Sequence, residues 1–324
     1  MKRCIEIGMR IDADTENDSA STSNYTDSPK DPIMDQFNGS PISMDGNKVN
    51  YDPKPLLNVI KENIVKDNTQ SMKGTPGVVL SPLQRMSYEL TKFLSHRSPD
   101  PSNIVVSFEV GVPDNIRFHE DFILRLVRVV TASESFVKIE NSQKFEIFRH
   151  FWVTFLCVER TYHSITVFGP DETDMRLLLN NMRAIDLGPI FRMHRDNETE
   201  QVKLTRPMVE RTFRHIVAPM KALQLTIYEI SFLALNLLWS LYDVNGITAE
   251  THKAAEEILE RNSAEMHSYY VYEMKLPNYA ARLAAITRLV PAIEALLRCK
   301  KDLVIMGKFF DFFEVDFFDC GLLD

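Results

Sequence analysis

A histidine followed directly by a glutamate could hold a metal and activate a water, and the chain has that pair at His119-Glu120. A metallohydrolase helix also needs a second histidine one turn on, so that both rings share a face. Ile123 stands there instead. His150 and His163 fall on one apolar segment without further ligands beside them, which fits hydrogen-bonded core or pocket residues better than a metal site. The chain has no G-x-S-x-G elbow for a serine nucleophile and no glycine-rich phosphate loop. Cys4, Cys157, Cys299 and Cys320 are far apart and form no C-x-x-C pair, which argues against a zinc cluster and a disulfide framework and fits a reducing compartment. Carboxylates are scattered on charged faces, where they solvate. We find no case for an enzyme, and expect no metal and no cofactor.

These residues need elements to hold them. The chain has 324 residues, 44% apolar and 25% charged, enough for one large domain with appendages or for two domains. A net charge of -8 gives no overall basis for binding nucleic acid or an acidic membrane. The organising stretch is 136–163. Phe145, Phe148, Trp152 and Phe155 recur at helical spacing, and Ile147, Phe151, Val158 and Tyr162 run down a second face. A helix apolar on most of its circumference must be covered on most sides, so it is the middle layer of a helical domain.

The rest of the chain follows in order. The N-terminus is not a signal peptide, because Glu6 and Arg10 interrupt any apolar run. Residues 11–78 are rich in Asp, Ser, Asn, Thr and Pro and read as a flexible hinge. Within them, 55–65 places Leu57, Ile60 and Ile64 on one face of a short docking or transient helix. Ser81-Pro82-Leu83-Gln84 starts a helix bearing Leu83, Met86, Leu90 and Phe93. Residues 104–112 are a β-branched run. Helical spacing resumes at Phe122, Leu126 and Val130, with a break near 140–142 before the central helix. Residues 165–168 alternate and end in Gly169-Pro170-Asp171, which predicts a strand of a small hairpin. Residues 173–186 and 206–222 read as helices.

Residues 222–241 have the length of a membrane span, yet Glu229 would cost roughly 2.5 kcal/mol or more in a bilayer. Thr226 and Glu229 instead form a capping box that opens a buried core helix, so no membrane is expected. Thr248 caps a helix running to Tyr270. Tyr279, Leu283, Ile286, Val290, Ile293 and Leu297 then form a heptad-like seam that can bury on the same chain or on a partner, with a kink at Pro291. The apolar tail 303–324 must dock somewhere. The fold class is all-α with at most one small hairpin.

Three patches carry a further pattern. Phe136, Ile139, Gln143-Lys144, Ile147-Phe148 and Trp152 are spaced as an aromatic, an aliphatic, a polar pair, two apolar residues and a tryptophan. Leu223-Gln224-Leu225-Thr226 precedes Glu229, and Tyr279 with Arg282-Leu283 precedes Pro291. In this order they resemble the ligand-binding domain of a nuclear hormone receptor. The first is similar to the signature at the junction of its helices 3 to 5, with Gln143 for the usual aspartate. The others resemble the start of helix 8 and the kinked helix 10. Glu159-Arg160 with Tyr162, and Tyr269-Tyr270 ahead of Tyr279-Ala280, look most like the expanded nematode group related to hepatocyte nuclear factor 4-type receptors. The resemblance covers residues 80–324. Lys2-Arg3-Cys4 with Gly8-Met9 is similar to the end of the family's DNA-binding domain. Residues 1–10 are therefore read as a remnant whose zinc cysteines would precede Met1, 11–78 as the hinge and 79–324 as the ligand-binding domain.

The resemblance implies an antiparallel three-layer helical sandwich. Phe122, Leu126, Val127 and Val130 would face a lipophilic ligand from helix 3, and Phe155, Leu156, Glu159 and His163 from helix 5. The alternative is a cavity filled by the bulky side chains themselves. Glu229 and Arg282 would form a structural ion pair, and the seam at 279–297 would pair with a like or unlike receptor. Thr131 falls where the family's coactivator clamp has a lysine, and Gly321 where it has a glutamate, with Asp319 at the wrong offset. Coregulator recruitment in the usual manner is thus left open. The implied function is transcription regulation in the nucleus, with no specific DNA binding by this chain alone. The competing expectations are an interaction protein that sequesters receptor partners, with a cytoplasmic location for a form lacking zinc fingers, and an all-helical lipid carrier.

Overall fold

The computed structural model describes residues 33–45, 48–69, 80–107 and 111–309. Two apolar rows on one segment yield a single long helix, α5 (Asn141–Phe168), whose Phe148, Phe151, Trp152, Phe155 and Val158 are all shielded from solvent. A short α4 (Glu134–Val137) precedes it, with the break near 140–142 where the pattern lapses. α5 packs on α9 (Ile227–Leu238). Against this pair lie α2 (Pro82–His96) and α3 (Val112–Thr131). Further contacts come from α12 (Leu289–Phe309), which also meets α7 (Glu200–Thr212), while α10 (Ala249–Ser268) touches α9 and α2. The result is a helical sandwich around one large apolar core.

Local chemistry sets the boundaries. Ser81 and Gln84 exchange both bonds of a capping box at α2, as Thr226 and Glu229 do at α9. α9, at twelve residues, is about 18 Å long, against ~30 Å of bilayer hydrocarbon. Among the described residues no helix is long and apolar enough to cross a membrane. The helix expected over 206–222 is three pieces: α7, a π-helical turn Phe213–Val217 and α8 (Ala218–Leu223). Pro219 has no N–H to offer the carbonyl one turn back, and the widened turn ends just before it. α10 likewise ends in a π-helical turn, Tyr269–Glu273. Pro291 acts the same way at the seam, which divides at Arg288 into α11 (Ala280–Thr287) and α12.

Two expectations are corrected here. Residues 165–168 are the last turn of α5, not a strand; Thr166 bonds back to the Tyr162 carbonyl at 3.0 Å, and Gly169 ends the helix at φ 87°. The hairpin lies further on, in the stretch read as helix. There, Asn180 Oδ1 accepts from the Met182 and Arg183 amides, closing a turn between strands Arg176–Leu178 and Arg183–Asp186. Val105–Val106, from the β-branched run, adds a parallel strand to the second of these.

Part of the 11–78 stretch read as hinge is ordered structure. Ile42–Asp45 and Lys48–Tyr51 pair as a second, antiparallel sheet. α1 (Lys54–Ile64) follows, with Leu56, Ile60 and Ile64 in the main core. The spacing at 55–65 marks a helix but not what orders it: α3 and α5 supply the apolar surface, and Leu56 takes the buried place expected for Leu57, which is half-buried. Residues 1–10 and 310–324, with Gly321 and Asp319, lie outside the described residues.

Candidate functional site

The eight positions expected around a ligand come together at the centre. Phe122, Leu126, Val127 and Val130 share the inner side of α3, while Phe155, Leu156, Glu159 and His163 share that of α5, and all eight are buried. Among the eight, the Phe122 and Phe155 rings lie 6.3 Å apart and Glu159 meets His163. Phe122 stands edge-on to Phe93 with ring centroids 5.4 Å apart, and Phe155 stacks on Phe151 at 5.4 Å and lies 6.0 Å from Phe93. Cavities occur elsewhere and are lined by none of the eight. One of ≈ 540 Å³ runs between α2, α10 and the end of α3, and another of ≈ 180 Å³ lies beside Tyr162, Met220 and Ile230.

At the polar end, Glu159 is the hub. Its carboxylate accepts from Arg160 Nε and Nη2 at 2.5 Å each and from Arg97 Nε at 3.3 Å. His163 Nδ1 is 3.1 Å from the same carboxylate and Nε2 is 3.2 Å from the Leu94 carbonyl, so both ring nitrogens are engaged. Arg97 also binds Asp121. Burial alone would raise the Glu159 carboxyl, but the charge of Arg160 and the hydrogen bonds from His163 and Arg160 outweigh it and hold the group well below the usual carboxylate range. Burial pushes the Arg97 guanidinium down and Glu159 opposes this. The faces of Phe118 and Phe122, 4.5 and 5.0 Å from the guanidinium carbon, cover its plane.

Arg97 and Asp121 were missed by sequence reasoning. Arg97 follows α2 in a loop and carries no periodic signal; the adjacent pair Glu159-Arg160 on an otherwise apolar helix was the available clue. His119 belongs to the core as well. Its Nδ1 lies 2.7 Å from the Asn115 carbonyl and its ring stands edge-on to Phe118 and Trp152. Glu120 binds the Ser40 amide and the Tyr51 hydroxyl of the N-terminal segment at 3.0 and 3.1 Å. Among the described residues no group of three or more His, Cys, Asp or Glu could hold a metal ion.

The ion-pair residues lie together. Arg282 reaches from α11 to Glu229 with Nε–Oε1 2.5 Å and Nη2–Oε2 2.7 Å, and the Tyr270 hydroxyl adds a third bond at 2.7 Å. The seam turns mostly inward: Ile286, Ile293 and Leu297 are buried in the chain's own core, whereas Tyr279, Leu283 and Val290 are half-buried against it. Gln143 of the signature accepts from the Thr248 amide at 2.9 Å, tying the start of α5 to that of α10. Thr131 ends α3, and there Asn68 donates from its backbone to the Thr131 carbonyl at 3.3 Å and from Nδ2 to Oγ1 at 2.8 Å.

Comparison with known proteins covers the same helices. Residues 103–310 match the family model of the ligand-binding domain of nuclear hormone receptor. Nuclear hormone receptor family member nhr-133 of Caenorhabditis elegans is 24% identical over 98% of this chain and 81% of its own length. Member nhr-96 of the same organism is 24% identical over 100% of this chain and 84% of its own. Among solved structures, the Ultraspiracle ligand binding domain from Drosophila melanogaster superimposes with a TM-score of 0.51 at 16% identity, covering 69% of this chain and 90% of that one.

Proposed function

The chain belongs to the nuclear hormone receptor family, matched through its ligand-binding domain, and from that premise we propose that it regulates transcription through protein contacts rather than through a buried ligand or catalysis. One observation carries this reading. Phe122 and Phe155, two of the residues expected around a ligand, are in ring contact with Phe93 and Phe151, which supports an interior packed by its own side chains. The polar end is closed by Glu159, Arg160, Arg97 and His163 acting on one another. A partner protein would then be the input. In this reading the outward side of α11 and the start of α12 pairs with a second receptor-type domain, and the protein acts in the nucleus. Its net charge of -8 gives the chain no electrostatic basis for tight DNA binding by itself.

Native mass spectrometry of the chain purified from cells tests the closed interior. The expected spectrum shows the polypeptide mass alone. A stoichiometric lipophilic adduct that leaves on unfolding would overturn the reading in favour of ligand control or lipid carriage. The same spectrum reports oligomeric state.

A further inference from the structure

α1 places Leu56, Ile60 and Ile64 at every fourth residue, the spacing of one helix face, and all three are buried. That face packs on α3 and α5. The contact is gripped at more than one point. Lys61 Nζ stands 5.1 Å over the Phe145 ring of α5. Beyond the helix, Asn68 makes its two bonds to Thr131 at the end of α3. The groove is therefore built from the last turns of α3 and the first turns of α5. Its occupant precedes the region matched by the family model, which begins at residue 103. An eleven-residue helix is marginal in isolation, so α1 owes its order to the groove. Residues 65–81 join it to α2.

We propose that α1 is an autoinhibitory strap seated in a helix-binding groove, and that the groove's external ligand is an amphipathic helix on a partner protein. The strap defines that helix: aliphatic side chains at positions 0, +4 and +8 and a cation at +5 to stack on Phe145, as Leu56, Ile60, Ile64 and Lys61 do here. This deepens the transcription-regulator reading and rests on it. The groove ends at Thr131, which the chain's own Asn68 holds.

The test uses the full chain and a fluorescein-labelled synthetic peptide of residues 53–69 as probe. Ile60→Asp in the chain releases the strap, while the probe keeps its isoleucine. Apparent affinity scales with the fraction of open groove, so the Ile60→Asp chain is expected to capture the probe at least about tenfold more tightly than the natural chain. Asn68→Ala, which leaves the buried face of α1 intact, should shift capture in the same direction by less. A chain carrying Asn68→Cys and Thr131→Cys should capture none when cross-linked and regain capture on reduction. Adding Phe145→Ala to Ile60→Asp should weaken capture. Equal capture by the natural, Ile60→Asp and Asn68→Ala chains, or capture by none of them, overturns the strap. A reporter driven by the chain fused to an unrelated DNA-binding domain separates the two levels. Strap-dependent capture with a silent reporter keeps the strap and removes the transcription reading. An active reporter with strap-independent capture does the reverse.

Discussion

His119 and Glu120 resemble the start of a metal site in sequence, but the two side chains turn to different structural tasks. Glu120 fastens the N-terminal segment to α3. The His119 ring is sealed between Phe118 and Trp152, and burial pulls its pKa from 6.5 down to about 4 against the opposing bond to the Asn115 carbonyl. The positive charges of Lys300, Arg97 and Arg160 act in the same direction as burial. The folded ring is therefore neutral where the unfolded one is protonated. Its contribution to stability is complete above pH 6.5 and is lost as pH falls from 6.5 towards 4, below which the loss levels off. The size is about 1.4 kcal/mol per unit, hence ~3 kcal/mol across the window. Urea unfolding of the natural chain and of His119→Gln over pH 4–7 should show the difference between their stabilities shrinking by about that amount as pH falls. Parallel curves would mean that the ring is not held neutral. Sequence spacing shows that the second histidine of a metallohydrolase helix is missing. It had no access to the ring's neutrality, which depends on side chains from three helices.

Elements were legible in proportion to how local their signals are. The capping boxes at Ser81 and Thr226 span three residues each and stand where the sequence places them. The break at Pro291 follows from one absent N–H. By contrast, 165–168 and 173–186 were exchanged in type, since four alternating residues fit a strand and a helix end equally well, and the deciding Asn180 turn acts through side-chain bonds. α1 was visible only as a transient or docking helix, because its partners are far away in the chain. The Glu229–Arg282 link belongs to this scale too, since it joins α9 to α11 while Glu229 also caps its own helix. Burial raises the Glu229 carboxyl, yet hydrogen bonds from Arg282, Tyr270 and the Thr226 backbone pull it lower overall. Removing the guanidinium leaves a buried carboxylate with fewer donors. Arg282→Ala should cost about 3 kcal/mol in urea denaturation at neutral pH. A group with a lowered folded pKa lends stability above its unfolded value near 4.5 and loses it as pH falls through the folded one. The gap between Arg282→Ala and the natural chain should therefore narrow in acid. A variant with unchanged neutral stability would show that the pair carries no net weight.

At the scale of the whole molecule, the question is which surface remains for a second chain once the core is filled. The heptad-like seam suggested that Tyr279 to Leu297 would supply it, but a period of four and three does not say which neighbour the apolar row meets. Ile286, Leu289, Ile293 and Leu296 face the chain's own interior. What α11 and α12 leave outside is a different row, with Ala281, Ala284, Arg288 and Pro291 exposed and Leu283 and Val290 half-buried beside them. In the pairing proposed above, small side chains there would let a second helix approach closely, and one cation would set its register. Pairing through this row makes Ala284→Arg an informative change. The position is exposed, so stability should hold within about 0.5 kcal/mol, while a long cation at the centre of a helix contact should weaken association tenfold or more, at about 1.4 kcal/mol per tenfold. Sedimentation velocity over a concentration series would show the midpoint of self-association, or of capture of a receptor-type partner, moving to higher concentration with an unchanged unfolding temperature. If the midpoint stays where it is, the pairing surface lies elsewhere and α11 serves the fold alone, because no rearrangement of its inward row could rescue the contact without opening the core that Ile286 and Ile293 complete.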